Sequence, residues 1–123
     1  MSFYDRQLQG MVSYRVGHLA EDAVARLYQG LGYRLEARCW RGVCGEIDLV
    51  FRHGGGWVFV EVKSSKTWAR AAESLSRRQI GRIQNTALEF VAQAPKYRST
   101  DMRFDVALVD GMGQIDVIEN AFV

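Results

Sequence analysis

Two stretches of the chain alternate apolar and polar residues with a period of two, and they meet at a run of glycines. Glu46–Phe51 (EIDLVF) and Trp57–Lys63 (WVFVEVK) flank His53-Gly54-Gly55-Gly56, and glycine supplies the positive φ that a tight hairpin loop needs. A register symmetric about residues 54 and 55 opposes Asp48 to Glu61, Glu46 to Lys63 and Val50 to Phe59, all six on one face. The other face then carries Ile47, Leu49, Phe51, Val58, Val60 and Val62. That face is apolar throughout, as expected of a strand pair packed on a core.

Helical periodicity appears on both sides of this hairpin. Upstream, Val16, Leu19, Ala20, Ala23, Val24, Leu27, Tyr28 and Leu31 form an i, i+3, i+4, i+7 stripe that Gly30 and Gly32 end. Glu21 falls at the rim of that stripe, about 110° from its centre at 100° per residue, and Gly17 one turn earlier leaves room beside it. Tyr33–Trp40 reads as a first strand turning at Arg41-Gly42, and Ser64–Ser74 as a polar loop interrupted by Trp68. Ser76-Arg77-Arg78-Gln79 has the capping-box form S-x-x-Q. It opens a helix with Ile80, Ile83, Ala87, Val91 and Ala94 beneath, stopped at Pro95. Strands at Arg103–Val109 and Gln114–Ile118, joined by Gly111-Met112-Gly113, close an αβββαββ order.

Length and composition change little in this picture. With 123 residues, 48% of them hydrophobic, and one proline, the chain is a single domain with material for one core. It lacks a run of about 18 apolar residues, and Met1–Gly10 lacks the apolar stretch of a signal peptide, so a soluble cytoplasmic protein without a membrane partner is expected. Net charge is +2, too small to name a partner, but 13 of the 16 basic residues are Arg. Arginine suits bidentate phosphate contacts, and a GC-rich codon bias accounts for the same excess. Cys39 and Cys44, with no further Cys and no nearby His, are too few for a structural zinc site and are expected as reduced thiols. His18 and His53 read as surface or rim residues.

The chemistry lies in the opposed acids. Directly paired side chains sit roughly 4.5–5.5 Å apart at Cβ, where two carboxylates repel unless a positive charge lies between them. Asp48 and Glu61 form a hard, all-oxygen donor pair suited to Mg²⁺ or Mn²⁺, with a lysine beside them. Spacing alone serves equally a solvated hairpin face on which Glu46 and Lys63 make an exposed ion pair. In the same way, Arg77, Arg78 and Arg82 crowd the start of a helix, where the dipole disfavours cations. They suit phosphate contact or a solvated face equally.

Asp48, then thirteen residues on Glu61-Val62-Lys63, spell D-x12-E-V-K, a string that resembles the PD-(D/E)XK nuclease superfamily. The ordered set Gly45-Glu46-Ile47-Asp48, Phe59-Val60-Glu61-Val62-Lys63, Arg103-Phe104-Asp105-Val106 and Asn120-Ala121-Phe122, with Glu21 on a helix upstream, resembles the bacterial YraN family over roughly residues 14–122. The likeness implies a restriction endonuclease-like, Holliday junction resolvase-like α/β sandwich over residues 14–123, a mixed sheet flanked by two helices, after an extension at 1–13. It implies a metal-dependent endonuclease acting on DNA, branched or single-stranded; the alternative is a non-catalytic nucleic-acid-binding module of the same fold. Asp48, Glu61 and the Val62 carbonyl would hold Mg²⁺ or Mn²⁺, Glu21 would add a further ligand, and Lys63 would act on the attacking water. Arg77, Arg78, Arg82 and Lys66 would contact nucleic acid, with Glu46 and Gln79 in support. The family commonly has Arg where this chain has Ser65, and Lys where it has Gln79; Lys66 stands in for the first, and Gln79 serves its capping box. Related junction resolvases are dimers, so the likeness extends to a homodimer.

Overall fold

The computed structural model of the chain describes residues 18–94 and 101–122. The proposed extension at 1–13, Val16, Gly17 and the helix stop at Pro95 lie outside them. Helix α1 occupies residues 18–30 of the described chain. It ends in a Schellman turn: Gly32, at φ +93°, donates to the Gln29 carbonyl, and Tyr33 donates to that of Tyr28. Strands β1 (Arg34–Arg41), β2 (Glu46–His53) and β3 (Gly56–Ser64) follow, then helices α2 (Trp68–Glu73) and α3 (Arg77–Ala92), and strands β4 (Met102–Val109) and β5 (Ile115–Ile118). The sheet order is β1-β2-β3-β4-β5, antiparallel except for the parallel β3–β4 pair. This is the expected α/β sandwich with its mixed sheet.

The hairpin register is the one the glycines imply. Leu49 pairs with Val60, Val50 with Phe59 and His53 with Gly56, across a two-residue turn with Gly54 at φ +57° and Gly55 at φ +80°. The ladder stops at Leu49, however, and β3 continues instead alongside β4 as far as Ser64 and Val109. Glu46 and Lys63 therefore do not pair. Glu46 accepts from Arg41 across the β1–β2 turn at 3.0 Å, and Lys63 Nζ lies 3.5 Å from Glu61.

Both faces of the sheet are buried under helices, as a mixed sheet flanked by helices requires. On one side, Ala20, Val24, Ala25 and Tyr28 of α1 pack on Leu49, Phe51, Val58 and Val60. On the other, Ala87, Phe90 and Val91 of α3 cover Val50, Trp57 and Phe59, and Ile47 joins them rather than Leu49. Burying a side chain such as Phe51 or Phe59 contributes about 1.5–3 kcal/mol, so each layer is a substantial share of the stability. The α1 stripe is also rotated from the expected one, leaving Leu19, Leu27 and Leu31 exposed.

Two further elements hold the sandwich closed. The expected loop 64–74 contains α2, capped by the Thr67 hydroxyl, with Ala71 packed on Val106 and Leu108. Six residues carrying one buried side chain give no periodic signal, so the sequence reads as loop. The capping box at Ser76 is present in both directions, with Gln79 N–H donating to the Ser76 hydroxyl at 3.2 Å and Ser76 N–H to the Gln79 side chain at 3.1 Å.

Candidate active site

Asp48 and Glu61 meet at the point where β3 leaves β2. The Val62 N–H, which a longer ladder would give to a β2 carbonyl, is donated to Asp48 Oδ2 at 2.8 Å. In an extended strand a residue's N–H and C=O face the same neighbour, so the Val62 carbonyl faces Asp48 as well. Glu61 lies across from Asp48, close enough that each carboxyl perturbs the other. Its side chain is 14% exposed and that of Lys63 18%. Loss of hydration raises both carboxyls above the usual carboxylate range, with Glu61 raised further by the Asp48 charge and drawn back by Lys63. The two acids therefore titrate as a pair, both above the ordinary carboxylate range.

Glu21 approaches this pair from α1. The core-facing residues of α1 are Ala20, Val24, Ala25 and Tyr28, which puts Glu21 roughly 40° from the centre of the buried stripe rather than at its rim. Its charge contributes to raising Asp48. Its carboxylate accepts from the Cys39 thiol at 3.4 Å and lies 3.9 Å from His18 Nδ1. Among the described residues, no three His, Cys, Asp or Glu side chains gather closely enough to hold a metal ion. Asp48 and Glu61 remain a pair with Glu21 beside them. Cys39 adopts φ +48°, uncommon for a residue with a Cβ, and loss of hydration and the Glu21 carboxylate push its thiol up to about 11. Both cysteines are free and exposed.

The basic residues separate into three places. Arg82 and Gln79 line a cavity of about 90 Å³ with Glu61, Glu46 and Ile83. Arg77 and Arg78 are exposed at the first turn of α3. Lys66 lines a different cavity, of about 400 Å³, between α1 and the β4–β5 turn, with Leu19, Ala23 and Val109. Ser65 lines that cavity too and donates its N–H to Val109. Glu46 reaches the smaller cavity while held by Arg41.

Two anchors of the site carry no signature in the hairpin pattern. Glu89 of α3 accepts the N–H groups of Val43 at 2.7 Å and Cys44 at 2.9 Å, fastening the β1–β2 turn. A Cβ at Gly42 would collide with that carboxylate, so only glycine leaves it in place. On the α1 face, Asp105 is 1% exposed and accepts from Tyr28 Oη, from Arg103 through Nε and Nη2, and from the Asn120 N–H. Arg103 also donates to Tyr33 Oη at 2.8 Å. An aspartate inside an apolar strand, with Arg two residues before it, is the signal in Arg103-Phe104-Asp105-Val106 for such a buried ion pair.

Comparison with known proteins places this arrangement in a family. The chain is 54% identical over 115 residues to a UPF0102 protein of Cereibacter sphaeroides, covering 94% of this chain and 98% of the relative. It is 53% identical over 114 residues to one of Ruegeria pomeroyi, covering 93% of each. A UPF0102 protein of a further Ruegeria strain is 39% identical over 118 residues, covering 96% of this chain and 95% of the relative. Residues 20–109 match the family described as Uncharacterised protein family UPF0102, and with its GEID, FVEVK and RFDV segments the chain belongs to that family, the YraN family.

Proposed function

We propose that the chain is a Mg²⁺- or Mn²⁺-dependent endonuclease that hydrolyses phosphodiester bonds of DNA. The observation that carries this reading is the half-buried Asp48–Glu61 pair, with the Val62 N–H on Asp48 at 2.8 Å and Lys63 3.5 Å from Glu61. A divalent ion relieves the same repulsion that a proton relieves, and two carboxylates with a backbone carbonyl suit it. Mg²⁺ commonly takes one or two protein carboxylates and fills its remaining positions with water and substrate phosphate. Asp48, Glu61 and the Val62 carbonyl would hold the ion, with Glu21 beside them.

When bound, the ion supplies neutralisation of the charge that develops on the phosphate and a more acidic water. The chain's own residues do the rest. Lys63, 3.5 Å from Glu61, would orient the attacking water or its proton. Gln79 and Arg82 present donors to the phosphate from the wall they share with Glu61, and Arg41 keeps Glu46 turned aside.

A cleavage screen on linear, nicked, flapped, four-way and single-stranded DNA in Mg²⁺, Mn²⁺ and EDTA tests the proposal. Metal-dependent strand scission that EDTA and Asp48→Asn abolish is the expected result. DNA binding without scission under any metal would overturn it in favour of a binding module.

A further inference from the structure

We propose that Val43 is a wedge that enters between bases of distorted or branched DNA beside the cleavage site. The inference rests on the nucleic-acid reading above and names the structural class of substrate. Val43 is 98% exposed, the most exposed of the large apolar side chains among the described residues. A lone exposed valine is ordinary on a protein surface; this one sits at the tip of a turn that is fastened three times. Gly42 N–H donates to the Gly45 carbonyl at 2.8 Å, and the N–H groups of Val43 and Cys44 both end on Glu89. A pinned tip loses little freedom on insertion, which is what a wedge requires.

The surroundings select nucleic acid as the occupant. Arg41, its side chain 80% exposed, stands on one side of the tip. On the other, Gly45 packs so closely on α3 that a Cβ there would lie 3.6 Å from Arg82 Cβ and 3.2 Å from Thr86 Oγ1. Arg82 in turn lines the cavity of Glu61. An apolar tip between two arginines, next to paired acids, matches the pattern by which proteins hold phosphates while an apolar side chain parts a base step. Stacked duplex resists such entry, whereas a branch point or mismatch admits it. Branched DNA is therefore the favoured substrate.

The test uses the full chain and a three-way-junction DNA carrying 2-aminopurine at the branch, with a linear duplex of the same sequence, in Ca²⁺. Wild type should raise the branch fluorescence, and Val43→Leu should do the same. Val43→Ser should need about tenfold more protein for that rise, while binding the linear duplex and melting like wild type. A branch signal unchanged in Val43→Ser overturns the wedge and leaves the tip to a protein contact; so does binding without any rise in the wild type. Both results leave the endonuclease reading standing. If the wild type binds no DNA, the wedge and the reading beneath it fall together.

Discussion

Asp48 takes the backbone N–H of Val62 with its side chain, at 2.8 Å, in the place where a strand partner would otherwise stand. The β2–β3 ladder ends there, and Asp48 and Glu61 are left facing each other where loss of hydration raises both carboxyls. The pair's protonation then becomes a property of the fold.

Stability should therefore fall as pH rises through the pair's titration. Both acids are raised in the folded state, so between the ordinary carboxylate range and neutrality the folded protein holds a proton that the unfolded chain has released. Folding is favoured at the lower end of that window. The slope for one proton approaches about 1.4 kcal/mol per pH unit. Denaturant unfolding from about pH 4.5 to pH 8 reads it directly. Glu61→Gln should flatten the profile and be the more stable protein at neutral pH; a profile identical to wild type would show that the pair does not titrate as one.

Mn²⁺ should stabilise the protein, and more strongly as pH rises, because its ligands must first lose the proton. At one hundred times the dissociation constant the gain is about 2.7 kcal/mol. Asp48→Asn should lose most of it. Calorimetric titration that finds equal Mn²⁺ affinity in wild type and Asp48→Asn would remove Asp48 from the ligand set.

Lys63→Ala separates binding from chemistry. A charged ammonium has no lone pair for a cation, and its removal takes a positive charge from beside Glu61, so Mn²⁺ affinity should hold or tighten. Cleavage should fall by about 10²–10⁴. Equal cleavage by mutant and wild type would exclude a role for Lys63 in the reaction.

The buried aspartate beneath α1 should dominate folding without entering the reaction. Asp105→Ala strands Arg103 and should cost about 3–5 kcal/mol, whereas Tyr28→Phe removes one hydrogen bond to a charged group and should cost about 1.5–3 kcal/mol. Urea unfolding measures both. Mn²⁺ affinity of the folded Tyr28→Phe protein should match wild type.

The hairpin was legible in the sequence because two independent signals agree on it. Glycines at 54 and 55 and the alternation on both flanks demand one register, and a slip of one residue would turn Leu49 and Val60 away from α1. That register alone brings Asp48 to Glu61. What stayed hidden depends on partners far along the chain. The Asp48 side chain takes the Val62 N–H, and the β2–β3 ladder ends at Leu49 and Val60, so the expected Glu46–Lys63 pair does not form and Arg41 takes Glu46. The hairpin pattern alone does not show that α3 would cover Val50 and Phe59 beside the acids. Glu89, 46 residues from Val43, belongs by its spacing to an ordinary helix surface. Among the arginines of α3, charge and helix position could not distinguish Arg82, beside Glu61, from Arg77 and Arg78, exposed at the helix start.

Asp105 is also where the order of assembly is written. Arg103 lies two residues away on the same strand, so the carboxylate can be neutralised locally before the sheet closes. Tyr28, 77 residues distant, and Tyr33, 70 residues from Arg103, arrive only when the first helix docks on the fourth strand. Contacts of that span slow folding, since the loop between them must close before they contribute. A ribosome that has not yet released β4 holds a chain whose α1 face has no finished surface to meet. The β2–β3 hairpin, with its short loop, can form long before the layer that supports it.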